Sequence, residues 1–140
     1  MKRLRLVLIL PCIVFSFSAF AEQSLIKPRT QGEVIFVSGG VGADEQNAMQ
    51  AIRADYNLNL LFSIKSTGEY VSDVKVRVAD SSGKLLLESV SDGPMLFARL
   101  KPGSYTITVD RDGQVSHKTA TIRGAQRTSL SFTWPQDEEE

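Results

Sequence analysis

The stretch LFARLKPGSYTITV, residues 96–109, decides the fold that this sequence predicts. A short apolar strand ends at Leu100, and the turn residues Lys101-Pro102-Gly103 follow it. Proline presets φ for a turn, and glycine adopts positive φ without a steric cost. After the turn, apolar residues alternate with polar ones at Tyr105, Ile107 and Val109. The stretch therefore predicts a tight β-hairpin whose second strand has one buried and one solvent-facing side.

Similar strand and turn signals continue on both sides of this stretch. Further short strands are predicted at residues 33–38, 58–65, 74–79, 85–90, 115–122 and 130–134. The phase of the strand at 85–90 is open, because Leu85, Leu86 and Leu87 are all apolar. Asp112-Gly113 between two strands is a strong signal for a hairpin. Eight short strands separated by turns predict an all-β fold, an antiparallel β-sandwich.

One short helix is predicted near the N-terminus of this domain, at about residues 43–55. The glycine-rich turn 39–42 ends the first strand, and Asp44 and Glu45 suit the positive end of a helix. Four apolar residues then recur at helical spacing on one face: Ala48, Met49, Ile52 and Tyr56. A helix that docks through this face would leave polar residues facing water: Glu45, Gln46, Gln50 and Arg53.

Residues 1–21 are interpreted as a secretory signal peptide. Lys2, Arg3 and Arg5 precede an apolar run, and Ala19-Phe20-Ala21 forms a small-x-small cleavage site. The apolar run is shorter than the roughly 20 residues that span a bilayer, and no lipobox precedes Cys12. We therefore expect cleavage after Ala21 and a mature protein in the periplasm or secreted.

The remaining chain divides into three predicted segments. Residues 22–31 are predicted to be a flexible leader, 32–135 the β-sandwich domain and 136–140 an acidic tail. Export would leave 119 of the 140 residues, with 13 of the 16 basic and all 16 acidic side chains. This acidic excess argues against a nucleic-acid binder, and no membrane span is expected. The only cysteine leaves with the signal peptide, so the core alone must hold the fold.

Three segments resemble the carboxypeptidase regulatory-like domain family. They are Asp73–Val78 (DVKVRV), Asp80–Lys84 (DSSGK) and Leu100–Ile107 (LKPGSYTI), and the resemblance covers about residues 71–122. The family implies a transthyretin-like (prealbumin-like) sandwich of seven strands. With the eight strands predicted above, we therefore expect a transthyretin-like or Ig-like sandwich of about 7–8 strands. It also implies a domain that accompanies a catalytic domain without supplying the catalytic residues. Such a sandwich hosts many functions, so the ligand does not follow from it.

Several candidate chemical motifs have simpler interpretations. Gly40-x-Gly42 lies between a strand and a helix, as in a dinucleotide-binding turn, but Glu45 occupies the position of the third glycine and would repel a pyrophosphate. His117 is the only histidine, which argues against a zinc site or a Ser-His-Asp triad. The sequence Asp110–Gly113 resembles a fragment of a calcium loop, but residues 114–116 do not continue the pattern, so a hairpin turn is favoured.

These observations predict a non-enzymatic periplasmic β-sandwich module that binds an envelope protein or polymer. No catalytic residue, cofactor or metal is expected. A carbohydrate- or peptidoglycan-binding module is the alternative, which two exposed aromatic residues on one sheet face would favour. Tyr70, Met95 and Phe97 are the candidates for an exposed apolar patch. The hypothetical partner-binding residues lie on the glycine turn and the outer helix face: Gly39, Gly40, Gly42, Glu45, Gln46 and Arg53.

Overall fold

The computed structural model of the chain describes residues 26–136. The predicted signal peptide and residues 137–140 of the acidic tail lie outside this range. The elements in chain order are β1 (Arg29–Gln31), β2 (Val34–Gly39), α1 (Gly42–Ile52), β3 (Leu58–Ile64), β4 (Lys75–Asp80), β5 (Leu85–Val90), β6 (Met95–Arg99), β7 (Gly103–Arg111), β8 (Gln114–Ile122) and β9 (Thr128–Trp134). A 3₁₀ turn, Arg53–Asp55, directly follows α1.

The strands form two sheets that pack as a β-sandwich, which confirms the predicted fold class. One sheet has five strands in the order β1-β2-β6-β3-β9, and the other has four in the order β5-β4-β7-β8. Neighbouring strands are antiparallel except β3 and β9, which run parallel from Leu58↔Thr128 to Ile64↔Trp134. This parallel pair seats the last strand at the edge of the five-stranded sheet.

The predicted hairpin at residues 96–109 is wrong, because its two strands belong to different sheets. Strand β6 pairs with β2 and β3, whereas β7 pairs with β4 and β8. The turn after Leu100 therefore carries the chain from one sheet to the other, and the Tyr105 hydroxyl donates a hydrogen bond to the Lys101 carbonyl (2.6 Å) across it. A turn followed by an alternating strand has the same sequence pattern in a hairpin and in a connection between two sheets, because the local pattern does not specify the partner strand.

The hairpin predicted at Asp112-Gly113 is confirmed. It joins β7 to β8 in the register Arg111↔Gln114. Asp112 and Gly113 have φ of 51° and 86°, and two positive φ values are what a type I′ turn requires.

The main core lies between the sheets and takes residues from eight strands. Its largest fully buried side chains include Phe62, Phe132, Leu58 and Ile107. Inward positions alternate with solvent-facing ones along β4 and β7, as the period-2 pattern predicts.

A second apolar cluster forms where α1 packs on the outer face of the five-stranded sheet. It consists of Ile26, Val37, Met49, Tyr56, Met95 and Phe97. Met95 and Phe97 are buried, so they do not form an exposed patch, whereas Tyr70 is exposed. Strand β6 has a neighbour on each side and apolar layers on both faces, which explains its uninterrupted burial from Met95 to Ala98.

Part of the predicted flexible leader has regular structure. Arg29–Gln31 form β1, which pairs with β2, and Ile26 is 4% exposed in the cluster beneath α1. The Gln31 side chain also pairs with the backbone of β5: its Nε2 donates to the Glu88 carbonyl (3.2 Å), and its Oε1 accepts from the Glu88 N–H (2.6 Å). A strand of three residues is too short to show a periodic pattern, so the sequence did not reveal it.

Candidate functional site

A groove of about 580 Å³ opens at one end of the sandwich, and we call it the end groove. It lies where β2, β5 and β7 begin and β6 ends, so both sheets contribute to it. The interior consists of six residues: Val34, Ile35, Leu85, Leu86, Leu100 and Tyr105. The charged residues at its rim are Glu33, Lys84, Arg99 and Lys101. Volumes of about 300–1,000 Å³ are usual for small-molecule sites.

The interior is apolar because both sheets turn aliphatic residues towards it. Val34, Leu100 and Tyr105 are buried at the floor, and Leu85 is 47% exposed at the edge. A β-bulge between Val78 and Ala79 shifts the register of β5. Leu87 consequently packs in the core while the two leucines before it line the groove, which settles the phase that the sequence left open.

The polar groups closest to the floor already have partners. The Tyr105 hydroxyl, the only polar side-chain atom among the six interior residues, donates to the Lys101 carbonyl, and burial raises its pKa. The Leu100 peptide is satisfied by Asn57, whose Oδ1 accepts from the Leu100 N–H (2.8 Å) and whose Nδ2 donates to the Leu100 carbonyl (2.7 Å). The interior side chains thus present hydrocarbon and no free hydrogen-bond donor.

The rim carries three cations and one carboxylate. Lys101 Nζ lies 2.6 Å from Glu33 Oε2, and this hydrogen bond and charge lower the pKa of Glu33 and raise the pKa of Lys101. The Arg99 guanidinium donates twice to the Asp55 carbonyl, at 3.0 and 2.8 Å. Lys84 makes no salt bridge or side-chain hydrogen bond within residues 26–136, but its charge helps to lower the pKa of Glu33 and of Asp80. The end groove therefore has an apolar interior beside a net positive rim.

The turn between β4 and β5 positions Lys84 through the Asp80 carboxylate. Asp80 Oδ1 accepts from the Ser82 hydroxyl (2.6 Å), the Ser82 N–H (3.0 Å) and the Lys84 N–H (3.0 Å). The Ser82 hydroxyl is the largest cause that lowers the pKa of Asp80, with the two backbone donors adding to it. A side-chain carboxylate that accepts local N–H groups in this way fixes a tight turn.

This carboxylate predicts a pH-dependent contribution to stability. Because the pKa of Asp80 is lower in the folded state, its contribution is present above the unfolded pKa of about 4 and is lost as the pH falls through the folded value. Asp80→Asn is expected to lower the urea midpoint at pH 7 and to approach the wild type as the pH falls towards 2. Glu69→Gln, in an exposed loop, is the matched control. An Asp80→Asn difference that is constant with pH would contradict the assignment.

The partner-binding residues predicted on the glycine turn are only partly exposed. Gly39 and Gly40 are buried, so the prediction of an exposed turn is wrong for them, whereas Gly42 is exposed where α1 begins. A Cβ at Gly39 would lie 2.7 Å from Ile26 Cδ1 and 3.1 Å from Glu45 Oε1, which shows how closely α1 and the N-terminal segment cover the turn. The pattern of glycines revealed the turn but not what packs on it.

The helix residues of the same hypothesis do not form one exposed face. Glu45 and Gln46 are half-buried beside the turn. Arg53, at the other end of the helix, donates from Nε to Asn59 Oδ1 (2.7 Å) and from a terminal nitrogen to Ser129 Oγ (3.0 Å). Arg53 therefore ties the helix end to β3 and β9, and because its side chain is half-buried it faces water only in part.

The other candidate motifs lie in ordinary structural positions. His117 is exposed on β8, opposite Thr108 of β7. Asp110 Oδ1 accepts from the Gly113 N–H (2.9 Å) and so belongs to the hairpin turn. Within residues 26–136, no group of three or more His, Cys, Asp or Glu side chains is placed to hold a metal ion. Tyr70 is the only exposed aromatic residue in the same range.

Comparison with known proteins adds no family to these observations. No protein-family model matches the chain, and no curated protein matches it. The resemblance to the carboxypeptidase regulatory-like domain stays a prediction. In the described range, no helix combines the length and the apolar character needed to cross a membrane.

The end groove itself was not predicted from the sequence. Its interior residues come from three strands and the turn after β6, which are far apart along the chain, and the order of the strands decides that they meet. The one local signal was the run Lys84-Leu85-Leu86-Leu87, where a cation precedes more consecutive leucines than one buried strand face can take.

Proposed function

We propose that the protein is a non-enzymatic β-sandwich module that is exported to the periplasm or beyond and binds an envelope component there. The end groove supports this proposal best, because it combines an apolar interior, a charged rim and a volume of about 580 Å³ on a rigid scaffold. The resemblance to carboxypeptidase regulatory-like domains supports it as well, since those domains accompany catalysis without performing it.

A carbohydrate- or peptidoglycan-binding module remains the alternative proposal. Sugar-binding surfaces stack rings on exposed aromatic side chains, and Tyr70, at 46% exposure, is the one such residue in the described range. Ser63 bridges to Tyr70 and adds a hydroxyl beside it. One ring is a weak platform compared with the end groove, so we place the binding site in the groove.

Capture from an envelope extract tests where binding occurs. Purified protein carrying Leu85→Asp is expected to recover at least about tenfold less of its specific envelope component, because a carboxylate would replace the apolar side chain at the edge of the groove. Val115→Asp is the matched control, since Val115 is 61% exposed on the strand β8, outside the groove. Bound proteins, lipids and glycans are quantified by mass spectrometry against beads without protein.

A helix variant and an aromatic variant decide between the surfaces. Glu45→Lys changes the predicted helix site while avoiding Arg53, and Tyr70→Ala removes the exposed ring. If Leu85→Asp still captures the envelope component and Glu45→Lys does not, the binding site lies on the helix and not in the end groove. If the wild-type protein captures a glycan and Tyr70→Ala does not, the carbohydrate alternative is established. Circular dichroism confirms that every variant is folded.

A further inference from the structure

We infer that the end groove binds a single-chain anionic amphiphile, an unbranched alkyl chain that ends in a carboxylate. The inference rests on the proposed function, because it assumes that this groove is the binding site, and it names the chemical class of the ligand. Three properties of the groove carry it: the hydrocarbon interior, the sign of the rim charge and the volume.

The interior favours an alkyl chain over a peptide or a sugar. A peptide brings N–H and C=O groups, and a sugar brings hydroxyls, and each loses hydrogen bonds to water when it is buried without a partner. The six interior residues offer one polar side-chain atom, the Tyr105 hydroxyl, and its single proton is already donated to the Lys101 carbonyl at 2.6 Å, so the interior side chains have no donor left for a peptide carbonyl or a sugar hydroxyl. An alkyl chain makes no such demand, and its burial against valine, isoleucine and leucine is favourable in proportion to its apolar area.

The rim favours an anionic head group. Of the three cations, Lys84 makes no ion pair with the described residues, while Lys101 is held by Glu33 and Arg99 by the Asp55 carbonyl. Lys84 adjoins Leu85 and Leu86, so a head group at its ammonium would let the tail follow the leucines into the groove. The net positive rim would attract a carboxylate and repel an ammonium head.

The size of the groove suits one chain. Its 580 Å³ lies in the middle of the range of about 300–1,000 Å³ that small-molecule sites occupy. Leu85, exposed at the edge of the groove, extends the apolar lining towards solvent, so the part of the chain next to the head group also lies against hydrocarbon. Lys84, Arg99 and Lys101 also line the groove, so they supply the cations for the head group of a bound chain.

Calorimetric titration with three dodecyl compounds tests the head group. Dodecanoate, dodecyltrimethylammonium and dodecyl maltoside have the same alkyl chain and differ only in the head group. Each is titrated, below its critical micelle concentration, into the protein of residues 22–140. Dodecanoate is expected to bind saturably at one per chain, at least about tenfold more tightly than the cation. An acetylated apolar peptide with a free carboxylate end is the fourth ligand.

Two pairs of variants locate the site. Lys84→Glu is expected to weaken the affinity for dodecanoate at least about tenfold and to reduce the difference in affinity between dodecanoate and dodecyltrimethylammonium. Lys65 is exposed at the opposite end of the sandwich, so Lys65→Glu should leave the affinities for these two compounds unchanged. Leu85→Asp should weaken all three dodecyl compounds, and Val115→Asp none of them.

The outcomes separate this inference from the proposed function. Equal binding of the three dodecyl compounds, or binding unaffected by Leu85→Asp, overturns the anionic amphiphile. Binding of the peptide but not of dodecanoate, lost in Leu85→Asp, overturns the ligand class and keeps the groove as the site. If no dodecyl compound binds while Leu85→Asp still abolishes capture from the envelope extract, the inference fails and the proposed function stands.

Discussion

Gly93→Ala is expected to destabilise the fold by more than about 3 kcal/mol, a large fraction of the roughly 5–15 kcal/mol by which a native protein is stable. A Cβ at Gly93 would overlap the carbonyl carbon and oxygen of Gly39 and would lie 2.9 Å from its Cα. All three atoms are backbone, so no side-chain rotation can relieve the overlap. Strand β2 would have to move from β6, which it pairs in the register Gly39↔Met95.

A second glycine controls for the backbone conformation. Gly42 has φ of +77°, and a Cβ added there would have no atom within 4 Å. At Gly93 the problem is the opposite one, because a Cβ would have no space although the backbone conformation does not require glycine. Gly42→Ala should therefore cost about 1 kcal/mol through strain alone. Urea unfolding followed by circular dichroism measures both. A cost for Gly93→Ala no greater than that for Gly42→Ala would show that β2 and the segment before β6 are not packed as closely as described.

Gly93 also shows what sequence patterns miss. The stretch Ser91-Asp92-Gly93-Pro94 has the composition of a turn. What makes the glycine indispensable is an approach to Gly39, 54 residues earlier in the chain, which no local pattern encodes. The same applies to the Ser38 hydroxyl, which donates to Asp92 Oδ2 (3.0 Å) and accepts from the Asp92 N–H (3.1 Å).

The periodic patterns predicted strand positions well, and strand pairing less well. The predicted strand at 85–90 coincides with β5, and the helix predicted at 43–55 matches α1 and its 3₁₀ turn except for Gly42, the first residue of α1. The alternation of apolar and polar residues indicates which side chains of a strand face the core, and this alternation is the same whichever strands lie beside it. The partner of each strand depends on topology, which is why the turn at Lys101-Pro102-Gly103 was interpreted as a hairpin although it connects the two sheets.

The functional hypothesis from sequence depended on the exposure of the glycine turn, which the packing of α1 on the five-stranded sheet reduces. The helix was expected to leave a glycine turn uncovered, but Met49 of α1 and Ile26 of the N-terminal segment pack over it. Ile26 belonged to a segment without periodicity, and a single buried residue leaves no pattern. The end groove escaped prediction for a related reason, because its residues are adjacent only after the ends of both sheets are brought together.

The interior of the sandwich supplies the second large effect, at Phe62. This side chain is fully buried on β3, with ring centroids 6.3 Å from Phe132 and 6.1 Å from Trp134. Both partners lie on β9, the parallel edge strand, so Phe62 packs against the residues that anchor the end of the described chain. Removing the ring leaves a cavity between the sheets that close-packed neighbours fill only in part.

Phe62→Ala is therefore expected to cost about 3–5 kcal/mol in the free energy of unfolding. Phe62→Leu, which keeps most of the volume, should cost under about 2 kcal/mol, and Tyr70→Ala, at an exposed ring, within about 0.5 kcal/mol. Trp134 is the only tryptophan of the chain, so its fluorescence follows urea unfolding beside Phe62 while circular dichroism follows both sheets. Coincident transitions with the expected loss would establish β9 as part of one cooperative core. An early fluorescence transition would show that β9 leaves the sandwich first, and a loss as small as that of Tyr70→Ala would contradict the packing between β3 and β9.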